Sequence, residues 1–170
     1  TTAIARGSGP VVAATWFGAP APFPREVAMS SQREQYYRVL FLVAAVYDIV
    51  LGTIFTFFHT WAFEVLDIAD EDPGSGYVPL IGAFLFVIGI AYFLIYRGDL
   101  VRNVDLIAVG TLYKLAYSAI AFWFWIVVDD VPHILFPALF GIVDLVMFVA
   151  MAECWFTVRR LSIRRGETAN

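Results

Sequence analysis

The chain has 170 residues, 61% of them hydrophobic, 17% aromatic and only 15% charged, with a formal net charge of −4 and one cysteine. That composition excludes an ordinary soluble domain, and the lone Cys154 excludes an internal disulfide or a CxxC redox pair. Its eleven Lys and Arg residues are spread too thinly for a nucleic-acid surface, so no nucleic-acid partner is expected.

Residues 1–35 carry Gly7, Gly9, Pro10, Gly18, Pro20, Pro22 and Pro24, a spacing that forbids a long regular helix. The segment lacks the charged start and continuous apolar core of a secretory signal and reads as an uncleaved N-terminal arm. Val11, Val12, Trp16, Phe17 and Phe23 make it too apolar for a solvated tail, which predicts that it lies against a neighbouring subunit or the membrane surface. Met29, followed by Ser-Ser-Gln-Arg-Glu, has the setting of a translation start.

The mean hydropathy of +0.76 fits a chain that is about half membrane span, since each crossing of a ~30 Å hydrocarbon core takes about 20 apolar residues. Four such stretches follow the arm, at residues 36–58, 78–96, 106–127 and 134–156, within a membrane domain of residues 36–157. Between the first two, Trp61 to Ile68 has the apolar spacing of a short helix lying on the membrane before an Asp-Pro-Gly-Ser-Gly turn. The short later connections predict neighbouring antiparallel spans, and hence an all-α, up-down-up-down four-helix bundle. Residues 158–170 form a basic tail whose Arg159, Arg160, Arg164 and Arg165 suit anionic lipid headgroups.

Sidedness follows from charge, because short cytoplasmic segments retain Lys and Arg. The first and third loops carry Glu64, Asp67, Asp70, Glu71, Asp72, Asp129 and Asp130 with no basic residue, whereas the arm with the first turn of the first span, the second loop and the tail hold ten of the eleven cations. Both termini are therefore expected in the cytoplasm, with the protein a multi-pass component of a bacterial inner membrane.

The eleventh cation, Lys114, falls inside the third span, where an unpaired charge costs about 3 kcal/mol or more. Asp48 lies 12 residues beyond Tyr36 and Asp144 lies 12 before Phe156, so both carboxyls sit about 18 Å from the same boundary at ~1.5 Å per residue. Lys114, eight residues in from Leu106, reaches that level through its flexible stem. A buried Asp48, Lys114, Asp144 cluster follows, with one proton shared between the carboxyls by charge balance. Small residues line it: Ala44 and Gly52 share a stripe with Asp48, and Gly110 and Ser118 one with Lys114. Thr111, Tyr117, Ser118 and Tyr47 are expected to add polar support, Tyr47 flanking Asp48 with a different direction left open to it.

His59 lies 11 residues from Asp48 and His133 lies 11 from Asp144, both toward the acidic side. With Glu64, Asp129 and Asp130 they form a candidate metal or haem set, imidazole with carboxylate suiting Zn or Cu(II). No phosphate-binding glycine loop, nucleophile elbow or HExxH signature occurs, so no catalytic residue is assigned.

The Tyr37-Arg38-Val39-Leu40-Phe41 run, Tyr47-Asp48-x-x-x-Gly52, the Gly82 and Gly89 pair and Gly110-x-x-x-Lys114 resemble the small bacterial four-helix DoxX-like membrane proteins over about residues 36–157. The resemblance implies a membrane partner of redox or stress-response enzymes, in some members a subunit of a quinone-reducing complex. The leading expectation is an accessory subunit of a larger inner-membrane complex, energy-transducing or redox in setting, with other membrane subunits and lipid as partners. Two other readings stand beside it: a small proton-coupled carrier or ligand-binding bundle built on the Asp/Lys cluster, and a redox subunit binding haem, quinone or pigment.

Overall fold

A computed structural model of the chain describes residues 29–68, 76–129, 131 and 133–166. Residues 1–28 of the N-terminal arm, the acidic turn around Asp70 to Asp72, and Asp130 lie outside the described residues, while residues 31–35, assigned to the arm from the sequence, already belong to the first helix. Every regular element among the described residues is helical, and four helices are long and apolar enough to cross a membrane: Ser31–Phe57, Tyr77–Arg97, Val104–Val128 and Pro137–Arg164.

Helix α1 (Ser31–Phe57) starts with Glu34 in its first turn, where a carboxylate meets the positive end of the helix dipole. Its 27 residues reach about 40 Å at ~1.5 Å per residue, enough to span with tilt. Phe58 then breaks the helix, and α2 (His59–Val65) follows at once. The predicted short helix is thus present but begins two residues earlier than Trp61 and ends before Ile68, because Asp67 turns left-handed at φ 53°.

Gly76, at φ 70°, admits the chain to α3 (Tyr77–Arg97), whose Pro79 sits in the first turn, where its missing N–H costs nothing. The link to α4 (Val104–Phe122) is a tight turn in which Asp99 Oδ1 accepts the N–H groups of Val101 at 2.9 Å and Arg102 at 3.0 Å. Helix α4 widens into a π-helical segment at Trp123–Val128, and a second π segment at Pro137–Val143 leads into α5 (Asp144–Arg165). The last helix runs to Arg165 rather than stopping near residue 156, so Arg159, Arg160 and Arg164 belong to its final turns rather than to a separate tail. Gly166, left-handed at φ 70°, closes it.

Helix α1 packs mainly on α3, and α4 mainly on α5. The first pair is close because glycines replace side chains at the contact. A Cβ on Gly52 would stand 2.5 Å from the Phe86 backbone nitrogen, and one on Gly89 would stand 2.8 Å from that of Ile49. At the end where α1 begins, Arg33 bonds Tyr37 and Glu153, and Tyr37 Oη donates to Glu153 at 2.8 Å, tying α1 to α5. Arg38 donates to the Tyr96 and Gly98 carbonyls at 2.7 and 3.0 Å, tying α1 to the C-terminus of α3.

Two apolar clusters fill the interior. One holds Tyr37, Phe41, Tyr92, Ile95, Ile107, Met151 and Val158; the other holds Leu85, Ala121 and Phe140 with Leu51, Phe55 and Phe136 packed around them. Valines at 43, 46 and 50 of α1 and large apolar residues such as Phe84, Val87 and Leu94 of α3 face outward, as the lipid-facing surface of a membrane helix requires.

Candidate functional site

Asp48, Lys114 and Asp144 come from α1, α4 and α5, at chain positions between the residues of the two apolar clusters. Lys114 Nζ donates to Asp48 Oδ1 at 2.7 Å and to Asp144 Oδ1 at 2.9 Å. None of the three side chains is more than 1% exposed. Coulomb attraction at such separations strengthens as water is excluded, and two short charge-assisted hydrogen bonds offset part of the cost of desolvating the ions. Among the described residues, the other carboxylate oxygens, Asp48 Oδ2 and Asp144 Oδ2, find no hydrogen-bond partner.

Aromatic faces take up the rest of the ammonium's surroundings. Lys114 Nζ lies 4.8 Å from the Tyr47 ring centroid, 5.7 Å from that of Tyr92 and 5.8 Å from that of Tyr113, all within cation–π range. Tyr47 therefore faces the cluster rather than away from it. Its hydroxyl reaches past the lysine and donates to the Leu139 carbonyl at 3.1 Å, which swings the ring over the ammonium.

The second π segment serves this arrangement. Leu139 accepts from Tyr47, and Gly141, also in the segment, accepts from Ser118 Oγ at 3.1 Å. Widened helical turns leave carbonyls able to serve neighbouring helices, and here they anchor α1 and α4 on the stretch that ends at Asp144. Ser118 thus supports the cluster by fixing a helix. Thr111 does not reach it, since its hydroxyl donates to the Ile107 carbonyl of its own helix at 2.8 Å. Tyr117 acts at one remove, its ring 4.6 Å from that of Tyr113.

Tyr92 and Tyr113 were not singled out in the sequence. For Tyr92 the available signal was chemical: a tyrosine in mid-span needs a partner for its hydroxyl. Tyr92 donates to the Gly110 carbonyl at 2.7 Å, and a Cβ on Gly110 would stand 2.4 Å from the Tyr92 ring, so the glycine makes room for the phenol. We expect Tyr92→Phe to lower stability by about 0.5–1.5 kcal/mol while retaining the ring over Lys114, as read by denaturant titration in detergent. A loss above about 3 kcal/mol would mean that the hydroxyl does more than bond one carbonyl.

Among the described residues, His59 and His133 are not gathered with Glu64 and Asp129 into a metal-holding group, and Asp130 lies outside the described residues. Among the described residues no group of three or more His, Cys, Asp or Glu side chains is placed to hold a metal. His133 Nδ1 accepts the Leu135 N–H at 3.2 Å, and His59 packs edge-on against Phe63. Glu64 and Asp129 are exposed, and Asp129 is held left-handed at φ 55°. At the other end of the bundle Arg160 and Arg164 are exposed, and the Arg159 guanidinium lies 5.2 Å from the Trp155 ring centroid.

A cavity of about 660 Å³ lies at the α2 end, lined from α1, α2, α3, α4 and the segment preceding α5. Its walls are almost wholly apolar, and Asp48, Lys114 and Asp144 do not line it. Comparison of the chain with family models, curated proteins and solved structures gives no match.

Proposed function

We propose that this chain is a structural, accessory subunit of a larger bacterial inner-membrane complex. It forms an up-down-up-down bundle of DoxX-like type with both termini in the cytoplasm. The sealed Asp48–Lys114–Asp144 cluster carries the reading. Its ions are buried at every side, bonded to one another, capped by tyrosine rings and separate from the cavity, which suits a lock between helices. A carrier would need a wetted or alternately opened route to its charges, and the cavity lining includes none of them. Positive residues gathered at the ends of α3 and α5 and the acidic character of Glu64, Asp67 and Asp129 support the proposed sidedness.

The decisive experiment is affinity purification of the tagged chain from its native membrane in mild detergent, with mass spectrometry of what travels with it. A stoichiometric set of membrane partners is expected. A chain that elutes alone, folded and homogeneous, overturns the subunit reading. An optical spectrum of the same preparation tests the redox alternative, since haem or pigment would absorb in the visible.

A further inference from the structure

We propose that the cavity at the α2 end holds one acyl chain of a bilayer phospholipid whose headgroup is zwitterionic and carries an amine. Its volume of about 660 Å³ falls in the ~300–1,000 Å³ range of small-ligand sites. The lining draws on the last turns of α1 (Leu51, Phe55), the first turns of α3 (Val78, Ile81) and Phe136 and Phe140 beside α5. These positions belong to the candidate spans or border them, so the surrounding solvent at that depth is hydrocarbon. Water is a poor occupant, because a buried water needs two to four polar partners and this lining presents almost none.

The mouth selects the headgroup by charge. Trp61, Val65, Leu66 and Ile68 of the α2 segment line the cavity, and the exposed Glu64 and Asp67 alternate with them. Asp129 follows the π segment of the next hairpin, and no Lys or Arg occurs from Phe58 to Tyr96 or from Leu115 to Val158. An anionic phosphatidylglycerol-type head would be repelled there, whereas an ammonium finds carboxylates beside it. The cavity also touches Tyr117, whose ring stacks toward Tyr113 near Lys114, so a bound chain packs against the outer layer of the charge cluster.

The test uses the full chain in vesicles of equal phosphatidylethanolamine and phosphatidylglycerol, each carrying in turn a diazirine-labelled acyl chain. Photolysis and peptide mapping should place phosphatidylethanolamine adducts on residues 51–66 and 135–140 at least fivefold above the outward faces of α1 and α3. Phosphatidylglycerol should label those faces without that enrichment. Ala62→Phe, which fills the cavity from α2, should remove the enrichment while leaving the outward labelling unchanged. Uniform labelling by both lipids, or enrichment of phosphatidylglycerol, overturns the proposal. Should Ala62→Phe fail to fold, the wild-type map alone decides.

Discussion

Lys114→Met should cost about 3–5 kcal/mol of stability, the range for removing one partner from a buried ion pair. The substitution keeps much of the side-chain volume, so the loss reads as electrostatic rather than as a cavity. It leaves the buried carboxyls of Asp48 and Asp144 without their shared donor. The triple variant Asp48→Leu, Lys114→Met, Asp144→Leu should recover most of that loss, because an apolar replacement of a whole buried ionic group is often neutral or better. Denaturant unfolding in detergent, read by tryptophan fluorescence, measures both. If the single variant is within 1 kcal/mol of wild type, the ions do not hold the helices. If the triple variant is as unstable as the single one, packing around the cluster matters more than its charge. Recovery in the triple variant together with lost partner binding would separate fold from function.

The second large effect is expected at Gly52. A β-carbon there would meet the Phe86 nitrogen at 2.5 Å and the Gly82 carbonyl oxygen at 2.8 Å, and backbone cannot rotate away as a side-chain tip can. Gly52→Val should therefore push α1 from α3 and cost about 1–3 kcal/mol or more, the range for overpacking a filled interior. Gly141→Ala is the control. Its β-carbon would find its nearest atoms at 3.6–3.8 Å, an ordinary contact, and a change within about 0.5 kcal/mol is expected. Equal loss in both variants would show that helix flexibility, rather than close approach, is what these glycines supply. Crosslinking of cysteines placed across the α1–α3 contact gives a second readout of the separation.

The residues that were legible in the sequence are those whose cost is global. A lysine in a span has to find a carboxylate, and counting turns from the boundary sufficed to pair Lys114 with Asp48 and Asp144. The four spans were legible for the same reason, since length and hydropathy are dictated by the bilayer. Local geometry was harder. The π segments have no compositional signature, and without the widened turn at Leu139 nothing points Tyr47 toward Lys114. The last helix outran its apolar stretch because its arginines and Ser162 are good enough helix formers to continue past the membrane boundary. The two histidines were matched by depth alone, and depth does not fix the direction in which a side chain leaves its helix.

The ion cluster also fixes an order of events during synthesis. Asp48 and its ammonium partner are 66 residues apart in the chain, and Lys114 and Asp144 are separated by a further 30. The first span thus leaves the ribosome carrying an acid whose counterion does not yet exist, and the third brings a cation before its second acceptor has been made. The earlier intermediate presents an uncompensated polar group to lipid or to the insertion machinery. A nascent chain halted after α4 can already pair Asp48 with Lys114, and arrival of the final helix adds the second acceptor that completes the cluster.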